Sequence, residues 1–126
     1  MRVLLDTATF LWAVQAPENL SRAASALIMR EDTVREISAV SISEIAIKRG
    51  RGKLSFSAED ARQSLEDLRA RILPYNAEHG FALFGLPLHH ADPFDRQIIA
   101  QAIAEEIPVV TSDSMFRLYK GLTVIW

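Results

Sequence analysis

The run His89-His90-Ala91-Asp92-Pro93-Phe94-Asp95-Arg96, continuing through Gln97-Ile98-Ile99-Ala100-Gln101-Ala102 to Val109-Val110-Thr111-Ser112-Asp113, admits few folds. It reads as loop, helix and strand, with an acid at each junction. Asp92 suits an N-cap, Pro93 the first helical position, and Asp95 falls in the first turn. Ile98, Ile99, Ala102 and Ile103 recur at helical spacing and give that helix a buried face. Pro108 is expected to stop the helix and open the short apolar strand Val109-Val110-Thr111, with Asp113 just past its end. A helix that opens on acids and feeds a strand that ends on one points to a carboxylate site.

The rest of the chain repeats the alternation. Arg2 to Leu5 is an apolar strand closed by Asp6, and Thr7 to Val14 is a helix ended by Pro17. Ser21 caps a helix over Arg22 to Arg30, and Glu36 to Val40 is a second strand. Ser41-Ile42-Ser43-Glu44 has capping-box spacing and begins a helix that runs to Gly50. The basic, glycine-broken loop Arg49-Gly50-Arg51-Gly52-Lys53 follows, then a helix from Ala58, capped by Ser57, to about Ala70. Ile72 to Tyr75 is a strand placed at an edge by Pro74, Ala77 to Gly85 a short helix, and Leu122 to Ile125 the last strand. Strands alternating with helices predict an α/β fold, a three-layer α/β/α sandwich around a mainly parallel sheet.

At 126 residues, residues 1–126 are expected to form one domain with a real core. The formal net charge of −2 advertises no basic field for nucleic acid, although an acidic metal site can offset a local basic patch. The absence of cysteine excludes disulfides, thiolate ligands and a cysteine nucleophile. An acid as early as Asp6 argues against a signal peptide, and no apolar run reaches membrane-spanning length, so the expected location is the cytoplasm, without a membrane partner.

In open parallel sheets, ligands bind outside the C-terminal ends of the strands. Asp6 and Asp113 each follow a strand, Glu44 lies one helical turn beyond the second strand, and Asp95 opens the helix before the fourth. Four carboxylates brought together there repel unless a cation intervenes. Oxygen-only ligands suit Mg²⁺, with Mn²⁺ an alternative, rather than zinc. Each acid also has a local use: Glu44 closing a box onto Ser41, Asp95 favouring a helix dipole, Asp113 capping a short helix over Ser114 to Tyr119. The run Lys48-Arg49-Gly50-Arg51-Gly52-Lys53 is either a phosphate-backbone contact near Glu44 or a solvated helix end; His89-His90 are read as loop residues rather than metal ligands or a proton shuttle.

Leu4-Leu5-Asp6-Thr7, Ser43-Glu44-Ile45-Ala46-Ile47-Lys48, Gly52-Lys53-Leu54, Leu86-Pro87-Leu88-His89-His90, Asp92-Pro93-Phe94-Asp95-Arg96 and Thr111-Ser112-Asp113 resemble, in order along the chain, the PIN-domain ribonucleases. More narrowly, they resemble the VapC-type toxins of bacterial type II toxin–antitoxin pairs. The resemblance implies an Mg²⁺-dependent endoribonuclease whose acidic quartet is Asp6, Glu44, Asp95 and Asp113, with Asp6 and Asp95 as the foremost ligands and Asp92 a second candidate beside Asp95. It implies steadying hydrogen bonds from Thr111 and Ser112, phosphate contacts by Thr7 or Arg96, an RNA substrate, homodimerisation, and a small antitoxin lying in a groove walled by Phe10, Leu11 and Trp12. Ala8 departs from relatives that carry a histidine two residues after the first aspartate.

Two other classes use similar features. One is a PIN-fold module that binds protein or RNA without cutting. The other is a phosphotransfer protein, which would need a second acid where Ala8 stands, or a lysine where Ser112 and Asp113 stand.

Overall fold

The computed structural model describes residues Met1–Trp126. Five strands, β1 (Arg2–Leu5), β2 (Val34–Ser38), β3 (Arg71–Leu73), β4 (Val109–Val110) and β5 (Val124–Ile125), form one sheet in the order β3-β2-β1-β4-β5. Every pairing is parallel. Parallel neighbours need crossovers, and the chain supplies them as helices α1 (Thr7–Gln15), α2 (Arg22–Met29), α3 (Ala39–Gly50), α4 (Ala58–Asp67), α5 (Ala77–Phe84) and α6 (Pro93–Glu105). The first two crossovers step outward from β1 to β2 to β3, and the third returns across β1 to β4. With right-handed connections this reversal puts the two helix sets on opposite faces.

The strands are too short to bury a face alone, so period-2 alternation feeds two cores. Val3, Leu5, Ile37 and Val110 point to one side, where Phe10, Ala24, Ile28, Phe56 and Ala61 cover them. Leu4, Leu73 and Val109 point to the other and meet Ile98, Ile99 and Ala102 of α6, with Phe116 and Tyr119 from beyond β4. The result is the expected α/β/α sandwich.

Element types follow the sequence; several ends do not. Leu5 pairs with Ile37, so β2 stops level with β1, and Ser38 caps α3 by accepting from the Val40 N–H at 3.0 Å. Helix α3 therefore starts before Ser41, and no box joins Ser41 to Glu44. Ser41 lies inside the helix and accepts a hydrogen bond from the Thr7 hydroxyl at 2.8 Å. Nor does Pro108 end α6. The helix closes in a Schellman motif: the Glu106 N–H donates to Ile103 O and the Ile107 N–H to Ala102 O, both at 3.1 Å, with Glu106 at φ 56°. Arg69, at φ 50°, closes α4 at Asp67 in the same way. Neither position carries the glycine that would reveal such a stop in sequence.

A left-handed glutamate is strained by its Cβ. The exposed Glu106→Gly replacement is expected to raise stability by up to about 1 kcal/mol, since relief of αL strain outweighs the added chain entropy. Urea unfolding checks this; a lower midpoint at unchanged slope would show that the Glu106 side chain matters more than its backbone.

Candidate active site

Strands β1 and β4 are neighbours, with Leu5 opposite Val110, and the chain's reversal of direction falls between them. Such a switch point opens a crevice at the C-terminal ends of the strands. Asp6 leaves β1 into it, Asp113 leaves β4, Glu44 reaches it from the second turn of α3, and Asp92 and Asp95 from the start of α6. The five carboxylates line one cleft of about 400 Å³.

Local hydrogen bonding fixes most of them. Asp6, 6% exposed, accepts from the Thr9 N–H at 2.9 Å through Oδ1, which caps α1, and from the Thr111 hydroxyl at 2.6 Å through Oδ2. The Thr111 oxygen in turn accepts from the Asp113 N–H at 3.0 Å, which ties the two strand-end acids together. Asp113 caps the 3-10 turn Ser114–Leu118 through Oδ1, and Asp92 caps α6 through Oδ1. Glu44, 3% exposed, accepts from Lys48 Nζ through Oε2 at 2.5 Å, while its Oε1 is buried with no partner. The Asp95 carboxylate receives no hydrogen bond; the nearest cationic candidate is His90 Nε2, 3.5 Å from Oδ2.

The electrostatics follow from this crowding. Burial is the main force raising the Asp6 carboxyl above the usual range; the Thr111 and Thr9 hydrogen bonds oppose it, and Asp113 adds to it. Asp95 is pushed up to about 7, first by burial and then by Asp92, Glu44, Asp6 and Asp113. Lys48 is raised, chiefly by its bond to Glu44, with Asp92 and Asp95 contributing. Only Lys48 and Lys53 face the five acids as counter-charges.

This donor set fits a hard divalent cation. All available ligands are oxygens, one buried carboxylate oxygen is orphaned, and the acids lack balancing charge. No three His, Asp or Glu side chains lie close enough together in this conformation to hold an ion.

The remaining expected residues divide. Lys48, Ser112 and Thr7 line the cleft, although Thr7 donates its hydroxyl proton to Ser41. Thr111 makes hydrogen bonds to both Asp6 and the Asp113 N–H. Arg49 lines a different pocket, with Phe56 and Ala58, because one further residue turns the side chain away from Lys48. Arg96 is not among the residues lining the cleft: it donates to the carbonyls of Leu86 and Pro87 and to the Tyr119 hydroxyl. Phe10 is a fully buried core residue rather than a groove wall; Leu11 lines the cleft, and Trp12 packs against Trp126. Lys53 and His90 were not among the expected site residues. The sequence offers Lys53 only within the Lys48–Lys53 run, as a phosphate contact or a solvated helix end, and adjacent histidines carry no directional signal in sequence.

The PIN domain family model matches residues 3–122, and the chain belongs to that family. No curated protein matches it by sequence. Among solved structures it is similar to VapBC2 from Rickettsia felis bound to a promoter DNA fragment, at 20% identity and TM-score 0.73, covering 98% of this chain and 97% of that one. DNA-bound VapBC from Salmonella typhimurium gives 18% identity and TM-score 0.68 over 98% and 96% of the chains. VapBC-5 from Mycobacterium tuberculosis, a member of the VapBC family of toxin–antitoxin systems, gives 18% and 0.62 over 98% and 96%.

The raised Asp95 carboxyl sets a pH dependence. The folded chain holds this proton to about pH 7 and the unfolded chain only to about pH 4, so the folded state binds more protons in between. Stability without divalent ions is therefore expected to fall as pH rises through that window. Asp95→Asn should remove the penalty and raise stability near pH 8 by about 1–2 kcal/mol, discounted for the carboxyl's partial exposure. Thermal unfolding in EDTA at two pH values tests this; a destabilised variant near pH 8 would refute the repulsion.

Proposed function

We propose that the chain is a metal-dependent endoribonuclease of the VapC type, the toxin of a type II toxin–antitoxin pair. The observation that carries this reading is the only partly compensated five-carboxylate cleft at the switch point of a PIN fold, with Glu44 Oε1 buried and unpartnered. The similarity to toxin–antitoxin complexes supports the biological role.

Asp6, Glu44, Asp95 and Asp113 would hold Mg²⁺ or Mn²⁺, with Asp92 beside them. Such an ion, when bound, polarises a phosphodiester and supplies a nucleophilic water. The chain's own residues do the rest. Thr111 holds Asp6 and Asp113 in one arrangement through its two hydrogen bonds. Lys48 neutralises one oxygen of Glu44 and, with Lys53, lines the cleft as a positive contact for RNA phosphates. Ser112 is exposed at the cleft, where its hydroxyl can meet a substrate oxygen. Leu11 and Leu54 give the cleft an apolar margin on which a segment of a small antitoxin can rest. No helix is long and apolar enough to cross a membrane, and we take the site of action to be the cytoplasm, with a homodimer as the working assembly.

The test is to incubate the chain with a pool of structured RNAs in Mg²⁺ or EDTA, beside Asp6→Asn and Asp95→Asn. Discrete fragments that need Mg²⁺ are expected. Each substitution should slow cleavage by about 100-fold or more, the scale on which losing one transition-state stabilising group acts. Cleavage that survives both substitutions, or EDTA, would refute this site.

A further inference from the structure

The loop before α6 holds a chain of hydrogen bonds whose direction is fixed from one end. A guanidinium only donates. Arg96 Nη1 lies 2.8 Å from Pro87 O and 3.2 Å from the Tyr119 oxygen, and Nη2 lies 3.2 Å from Leu86 O. The Tyr119 oxygen therefore accepts from Arg96, and its single proton is left for its other neighbour, His90 Nδ1, at 2.7 Å. A ring nitrogen that accepts carries no proton, so neutral His90 holds its hydrogen on Nε2. The opposite tautomer would crowd two donors onto the phenol oxygen and strand its proton inside a buried residue.

That Nε2 is buried, makes no hydrogen bond, and lies 3.5 Å from Asp95 Oδ2. Asp95 is the one acid of the quartet whose carboxylate nothing holds. The donor lacks an acceptor, the acceptor lacks a donor, and a few tenths of an ångström separate them from a normal bond. Hydrogen bonds at empty sites are commonly long and tighten when the site is filled.

We propose that His90 is a positioning residue for Asp95. Arg96 and Tyr119 lock the imidazole as the Nε2–H form aimed at Oδ2, and the contact closes when an ionised Asp95 turns Oδ1 toward a divalent cation. The role is to select which oxygen of Asp95 faces the cleft. It also gives a use to Arg96, which does not line the cleft: its donors set the polarity of the hydrogen-bond chain. This inference rests on reading the cleft as a metal site.

The test uses the full chain with ¹⁵N-labelled histidine, and Mn²⁺ alone as the probe. The wild-type ¹⁵N spectrum should show His90 protonated on Nε2, and Tyr119→Phe, which removes the proton aimed at Nδ1, should release a mixture of tautomers. By titration calorimetry, His90→Phe should bind Mn²⁺ about tenfold more weakly, on the scale of lost support to a metal ligand. His90→Gln, whose amide nitrogen stands near Nε2, should recover affinity to within about threefold. Should His90→Phe not fold, Tyr119→Phe, which keeps the ring and its packing, carries the affinity test, with a loss of about threefold expected. A wild-type Nδ1–H tautomer, or variants that bind Mn²⁺ as tightly as the wild type, would overturn the proposal alone. A wild type that takes up no Mn²⁺ would overturn the metal site and this inference together.

Discussion

Five carboxylates gathered at one edge of a parallel sheet repel one another, and the functional half of this molecule is arranged around that repulsion. Asp6 and Asp113 share the crevice because β1 and β4 are neighbours that end level, and Glu44 and Asp95 join them because α3 and α6 begin there. The protein offsets the repulsion only in part. Lys48 takes one oxygen of Glu44, Thr111 and the Thr9 amide take those of Asp6, and Asp95 is left to keep its proton to about pH 7.

Helix ends supply a further, partial compensation. Asp6, Asp92 and Asp113 each cap a helix or turn through Oδ1, so the positive ends of α1, α6 and the 3-10 turn after β4 point into the acidic cleft. The local use of these acids and their collective use are therefore one geometry. Capping occupies one oxygen of Asp92 and of Asp113 and sets the direction of the other. An aspartate read in sequence as a cap is not thereby excluded from a site.

This is why the site was more legible in the sequence than the boundaries were. Asp6, Asp95 and Asp113 stand at strand and helix junctions that apolar runs and Pro93 mark clearly, and a parallel sheet brings such junctions to one edge. The ends of α4 and α6 were obscure because Arg69 and Glu106 adopt left-handed backbone where glycine would have shown it. The start of α3 was obscure because strand pairing with β1, rather than Ser41, decides it. Lys48 and Arg49 are adjacent in sequence yet line different pockets, and Arg96 spends its donors on its own loop. A charge pattern carries no information about where long side chains turn, and a histidine pair carries none about which ring nitrogen holds a proton.

A second buried acid in the same sheet shows that the imbalance of the cleft is not a consequence of the fold. Glu36, on β2, is 1% exposed, and Arg2 and Arg71 both reach its carboxylate, with Arg2 continuing to Glu105 and Glu105 to His79. This buried carboxylate is thus paired with two guanidinium groups, at the cost of ordering two long side chains. A few residues along β2, at its C-terminal end, no arginine enters the cleft, and Glu44 keeps one buried oxygen without a partner. The chain had arginines available nearby and turned them away: Arg49 to a different pocket, and Arg96 to Tyr119. A permanent guanidinium would neutralise the acids and occupy the space at once. Leaving the charge unpaired costs stability, and the carboxylate oxygens so left are of the kind a hard divalent cation takes as ligands.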